Sequence, residues 1–169
     1  AGQTALTHFP IAMTPPILAA VEEWFGEKYP FEKLDLIAVP DYWAGAMENP
    51  GAITFTAAAI LLDPKTASVA QRRTLSNYIA HELAHMWFGD KVTMEWWNDL
   101  WLNESFADWL GDRIAYKVYP EFDHDITEMQ PVQNTMQNDA RPSSKAIHGH
   151  VSAGDNLMEN VGTQYNKGK

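Results

Sequence analysis

The chain has 169 residues and a formal net charge of -10, a length that fits one domain with a real hydrophobic core. Apolar residues make up 46% and charged residues 20%, which excludes a disordered chain, and no cluster of Lys and Arg marks a nucleic-acid partner. Cysteine is absent, so disulfides and thiolate metal ligands are excluded as well.

The N-terminus has no basic start followed by an apolar run, and no signal peptide is visible. No apolar stretch is expected to cross a bilayer; the nearest, Ala57 to Leu62, is strand-sized. Compartment stays open between cytoplasm and periplasm.

In chain order, Thr14-Pro15-Pro16 predicts a helix start, with Thr14 as the N-cap and Pro15 in the first turn. Leu18, Val21, Trp24 and Phe25 then share one helical face, and Gly26 closes it. Lys33 to Val39 reads as a half-buried strand stopped by Pro40. Tyr42 to Gly51 is a loop, and Ala52 to Thr56 and Ala59 to Leu62 are expected as two more strands. A long helix is predicted from about Thr66 to Phe88, ending at Gly89-Asp90. Val92 to Glu95 reads as extended, and a second long helix runs from about Asn98 to Val118. Glu121 to Asp139 is helical in pattern with an interruption at Pro131, and the last thirty residues are loop-like. Strands followed by helices predict an α+β fold over a single domain, residues 1–169.

The chemistry concentrates in His81-Glu82-Leu83-Ala84-His85. Two histidines four apart lie one turn apart on one helical face and can hold a single ion. A catalytic zinc takes three protein ligands and keeps an open position for water. Glu82 follows the first ligand and is placed to act as general base on that water. Taken alone, the same spacing also fits a solvated polar face. Glu104 in the second long helix, with eighteen residues between it and His85, changes the balance. A turn at Gly89-Asp90 and an antiparallel return bring it beside the histidines as the third ligand. Its neighbours Trp101, Leu102, Phe106 and Trp109 are apolar, and an acid among them needs a partner. Asp108 and Asp99 are rival candidates to orient a ligating histidine through its other ring nitrogen. His148 and His150 leave a second metal site open, although loop histidines are commonly just solvated.

Gly45-Ala46-Met47-Glu48-Asn49, followed by the histidine pair and then Glu104, resembles the M1 family of zinc aminopeptidases. The resemblance runs from about Lys33 through Trp109, in KLDLIAVPDYWAGAMENPG, HELAHMWFGD and WWNDLWLNESFADW. It implies a thermolysin-like catalytic domain, a small mixed sheet over a helical half with the site between them. It also implies one zinc ion on His81, His85 and Glu104, with peptides carrying a free N-terminus as substrates.

By the same resemblance Glu48 anchors the α-amine, while Gly45, Ala46, Met47 and Asn49 belong to the loop along which the substrate chain lies. A carboxylate suits that task through charge-assisted hydrogen bonds, and small residues leave room for a strand-like substrate. Tyr165, in Tyr165-Asn166-Lys167-Gly168, matches the family's oxyanion-stabilising tyrosine; an ordinary surface tyrosine is the other reading. Family members carry a β-rich domain before this core and a helical domain after it, so flanking domains are expected. A thermolysin-type endopeptidase, a branch that also hydrolyses epoxides, and a zinc-binding but inactive fragment are the competing functional readings.

Overall fold

The structure, a computed structural model, describes residues 2–122, 124–152, 154, 165, 167 and 168, with the backbone alone over 124–130. In chain order come helix α1 (His8–Phe25), strands β1 (Asp35–Val39), β2 (Ala46–Met47) and β3 (Ala52–Thr56), and helices α2 (Ala57–Ile60), α3 (Val69–His85), α4 (Leu100–Val118) and α5 (His124–Asp139). The class is α+β, with a small sheet set against a helical half.

Helix α1 starts at His8, not at Thr14. Thr14 is buried inside it, and its hydroxyl donates to the Pro10 carbonyl at 2.8 Å. Pro15 and Pro16 sit on the exposed side, as do Ile11 and Ala12, whose carbonyls lose their intrahelical donors to the two prolines. Water can serve those carbonyls, so the helix runs through a pattern that reads as a start. Gly26 ends it in the left-handed conformation, φ 65°.

The expectation that no stretch is long enough to span a membrane is corrected here. The continuous helical segment Thr4–Phe25 is long and apolar enough by length and composition. His8, Thr14 and the prolines break it into short apolar runs in the sequence, which hid its overall length. Its Met13, Ile17 and Val21 are buried in the same core as residues of α3 and α4.

The sheet has the order β1-β3-β2 and is mixed. β1 lies parallel to β3, with Ile37 opposite Thr54, and β2 runs antiparallel to β3, with Ala46 opposite Phe55. Alternation along β3 buries Ile53 and Phe55 completely. β2, like β1, is an edge strand, and it lies within what sequence reading treats as plain loop.

Ala59 to Leu62 is not a strand. Ala57–Ile60 forms one helical turn that tucks Ile60 into the core. Alanine is a poor strand former, and a short apolar run does not distinguish the two states.

Helix α3 begins at Val69 because Ser68 and Gln71 cap it reciprocally. The Gln71 amide donates to Ser68 Oγ at 3.2 Å, and the Ser68 amide donates to Gln71 Oε1 at 2.9 Å. It ends at His85, and the chain turns through Gly89 at φ 136°. The extended piece expected at Val92 to Glu95 reduces to one bridge between Phe88 and Val92. Pro131 does not interrupt α5, which is helical across it with the proline exposed.

Antiparallel packing of α3 on α4 is in register turn by turn. Asn77 pairs with Asp112 at 2.7 Å, His81 faces Asp108 at 3.4 Å, and His85 faces Glu104 at 3.4 Å. Gly111 permits this approach, since a Cβ there would lie 2.9 Å from the His81 amide nitrogen. Leu75, Ile79, Leu83, Leu110 and Ile114 fill the seam, at most 1% exposed. Each contributes about 1.5–3 kcal/mol by leaving water.

Candidate functional site

His81 and His85 reach the same point because they stand one turn apart on α3. Their Nε2 atoms are 3.0 Å apart. Glu104 Oε2, delivered by α4, lies 3.6 Å from the first and 3.4 Å from the second. The three residues form a group able to hold a metal ion.

The surroundings set which atoms are free to bind. His85 Nδ1 faces two acceptors, the Phe88 carbonyl and Asn103 Oδ1, each at 3.1 Å. His81 Nδ1 faces Asp108 Oδ1 at 3.4 Å. Acceptors on that side keep a proton on each Nδ1 and turn the two Nε2 atoms, the ones a metal would bind, toward each other. Glu104 Oε2 converges on the same spot and is buried with no hydrogen-bond partner among the described residues. Such a cluster calls for positive charge, which a divalent cation would supply; the residues fit a metal.

Electrostatics point the same way. Burial resists charge on His81, but Asp108 and Glu104 outweigh it and push the imidazole up to about 10. Burial also works against the Glu104 carboxylate, and His81, His85 and Tyr165 overcome it and hold the acid well below the usual carboxylate range. Burial raises the Glu82 carboxyl to about 7, the two imidazoles opposing and Glu48 and Glu104 assisting. Glu82 is 5% exposed, and its Oε2 has no hydrogen-bond partner.

A cleft of about 860 Å³ opens beside this cluster. Gly45, Ala46, Met47 and Glu48 line one wall, His81, Glu82 and Glu104 the floor, and Tyr165 another side. Tyr165 stacks on His81 with ring centroids 6.0 Å apart, and its phenol interacts electrostatically with Glu104. Burial and then the charge of Glu104 raise its phenol, which stays protonated. Glu48 Oε1 lies 4.0 Å from His85 Nδ1. Gly45 adopts φ 83°, and its carbonyl accepts from the Thr56 amide at 2.7 Å, which aligns the start of β2 along the sheet.

Two members of the predicted set do not line the cleft, Asn49 and the fully buried His85. The Asn49 side chain donates to Thr54 Oγ1 at 3.3 Å, and its carbonyl accepts from the Ala52 amide, so it braces the turn into β3. Asp99 is not the partner of a clustered histidine; it pairs with His148 at 2.7 Å and accepts from Trp101. Among the described residues neither His148 nor His150 joins a metal-capable group. The segment Glu159 to Thr163 that precedes Tyr165 lies outside the described residues. Sequence reading missed Asn103, which touches both His85 and Glu48; the signal was its place immediately before Glu104.

A family model described as the peptidase family M1 domain matches residues 9–169. The chain belongs to peptidase family M1. Among curated relatives of the family, it is 40% identical over 163 residues to endoplasmic reticulum aminopeptidase 2 of Bos taurus, covering 96% of this chain and 17% of that protein. It is 36% identical to aminopeptidase M1-A of Oryza sativa subsp. japonica, over 99% of this chain and 19% of the relative. With probable aminopeptidase 2 of Sulfurisphaera tokodaii the identity is 38%, over 94% and 20%. The chain therefore spans about a fifth or less of the length of the M1 relatives it matches.

Proposed function

We propose that residues 1–169 are a single catalytic domain of a zinc aminopeptidase that removes N-terminal residues from peptides bearing a free α-amine. Flanking domains would complete the cleft in the longer protein, as the greater length of the relatives suggests. One observation carries the reading. A three-ligand metal cluster and an additional carboxylate, Glu48, face one cleft bordered by an edge strand.

Two imidazoles and one carboxylate are a donor set that suits zinc with a position left open. Zinc held there would polarise the scissile carbonyl and activate a water for attack. The chain's own groups do the rest. Glu82 takes the proton of the attacking water on its unpartnered Oε2 and passes it to the departing amine. Glu48 pairs with the substrate ammonium, fixing the first peptide bond over the cluster and excluding chains with a blocked terminus. The open edge of β2, Ala46 and Met47, pairs with the extended substrate backbone. Tyr165, kept protonated, donates to the oxyanion that develops on the scissile carbonyl, a contribution of about 3 kcal/mol where a single donor is removed in comparable sites.

The test is hydrolysis of an aminoacyl arylamide and its N-acetylated form, with wild type and Glu82→Gln. The free-amine compound should be cleaved and the acetylated one spared. Glu82→Gln should keep its zinc and lose activity by about two to four orders of magnitude. Equal cleavage of both compounds would indicate an endopeptidase, and wild-type turnover by Glu82→Gln would sink the assignment of the base.

A further inference from the structure

We propose that Asn103 is a positioning residue that ties the metal cluster to the amine-recognition carboxylate, a proposal resting on the reading of Glu48 as amine anchor. Its carboxamide stands between the two. Oδ1 is 3.1 Å from His85 Nδ1, and Nδ2 donates to Glu48 Oε1 at 3.3 Å.

The orientation of the carboxamide is dictated. The Phe88 carbonyl, also 3.1 Å from His85 Nδ1, accepts only, so that nitrogen carries the proton. Asn103 must then present its oxygen to His85, and its NH2 is left to face Glu48. A carboxylate could not take this place without setting two anions against each other. Gly89 leaves room for Asn103, since a Cβ there would come within 2.3 Å of its Oδ1. One amide thereby fixes the ring of a metal ligand and the carboxylate that sets where the substrate terminus rests. A side chain on α4, together with the loop that carries Glu48, thus sets the distance from substrate amine to metal.

The experiment uses the zinc-loaded protein and two probes with no hydrolysable bond, L-leucinol and 4-methylpentan-1-ol, which lacks only the α-amine. Their affinities are measured by calorimetry, and zinc affinity is measured by competition with a chromophoric chelator. Wild type should prefer the amine-bearing compound by roughly tenfold or more, as expected of a hydrogen-bonded charge. Asn103→Ala should weaken zinc by about tenfold, as loss of an outer partner of a ligating histidine does, and most of the amine preference should go with it. In a Glu48→Ala background the same substitution should still weaken zinc but leave the residual preference unchanged. Asn103→Asp keeps an acceptor for His85 and removes the donor to Glu48, and it serves if the alanine variant does not fold. Its zinc affinity should stay within about threefold of wild type, while the amine preference falls.

An amine preference that Asn103 substitutions leave intact, or alter equally with and without Glu48, overturns the proposal. Absence of any preference in wild type overturns the reading of Glu48, and the proposal with it.

Discussion

Asp90 lies just past the turn that ends α3, with one carboxylate oxygen buried and without a hydrogen-bond partner. Burial, and then the charge of Glu48, raises it from 3.8 to about 6. A carboxyl whose folded value exceeds its unfolded value binds more protons in the folded state. Its contribution is therefore favourable at low pH and is lost as pH rises through the interval from 3.8 to about 6. Asp90→Asn should remove that loss. Thermal midpoints of the chelator-treated protein should show the variant more stable than wild type above about pH 6, with the gap closing toward about pH 4. A gap that is constant with pH would mean that the wild-type carboxyl does not titrate there.

At this scale the sequence was informative where spacing decides and silent where partner choice does. His81 and His85 follow from helical periodicity, and Glu104 from a return of known length. Asn103 does not, because an amide reveals its role only once its two neighbours are in place. The pairing of the Asn49 side chain with Thr54 is hidden for the same reason.

Among elements, the helices that carry the ligands are legible because their apolar faces repeat at the helical period. Their ends are less so. The start of α3 is set by Ser68 and Gln71, a reciprocal cap that only the S-x-x-Q spacing announces. Ser68→Ala should lower stability by about 1 kcal/mol, read from denaturant midpoints, with little change in zinc affinity because the ligands lie several turns away. An unchanged midpoint would mean that the cap is replaced by water at no cost. Helix α1 was misread because Thr-Pro-Pro ordinarily opens a helix. Here the prolines fall on the exposed side and buried Met13 and Ile17 hold the helix together on the other. Strand β2 was illegible because two residues carry no periodicity, and only pairing with β3 defines it.

For the molecule as a whole, the sequence conveyed the class and the order of parts. It did not convey how closely α3 and α4 approach, which depends on one glycine. The acids around the cluster, Glu48, Glu82, Glu104 and Asp108, stand in one cleft that no lysine or arginine lines among the described residues. Occupancy by a cation should thus be a large part of stability. Binding to the folded state at a thousandfold excess over the dissociation constant is worth about 4 kcal/mol. Chelation should accordingly lower the thermal midpoint by several degrees, and added zinc should restore it. A midpoint indifferent to both would remove the case for a metal.

The contact at Gly111 also bears on which ion the protein prefers. With no side chain between the backbones, the separation of the two helices is fixed at its lower limit, and the third ligand is held at a set distance from the two imidazoles. On the proposed reading the seam would act as a gauge for ionic radius. Gly111→Ala, whose methyl would meet the His81 backbone, should part the helices slightly and enlarge the space among the ligands. Relative affinity should then shift from zinc toward the larger cadmium ion, measurable by competition between the two. Changes in selectivity would in this way arise on the hidden side of α4, at a residue that never touches the metal.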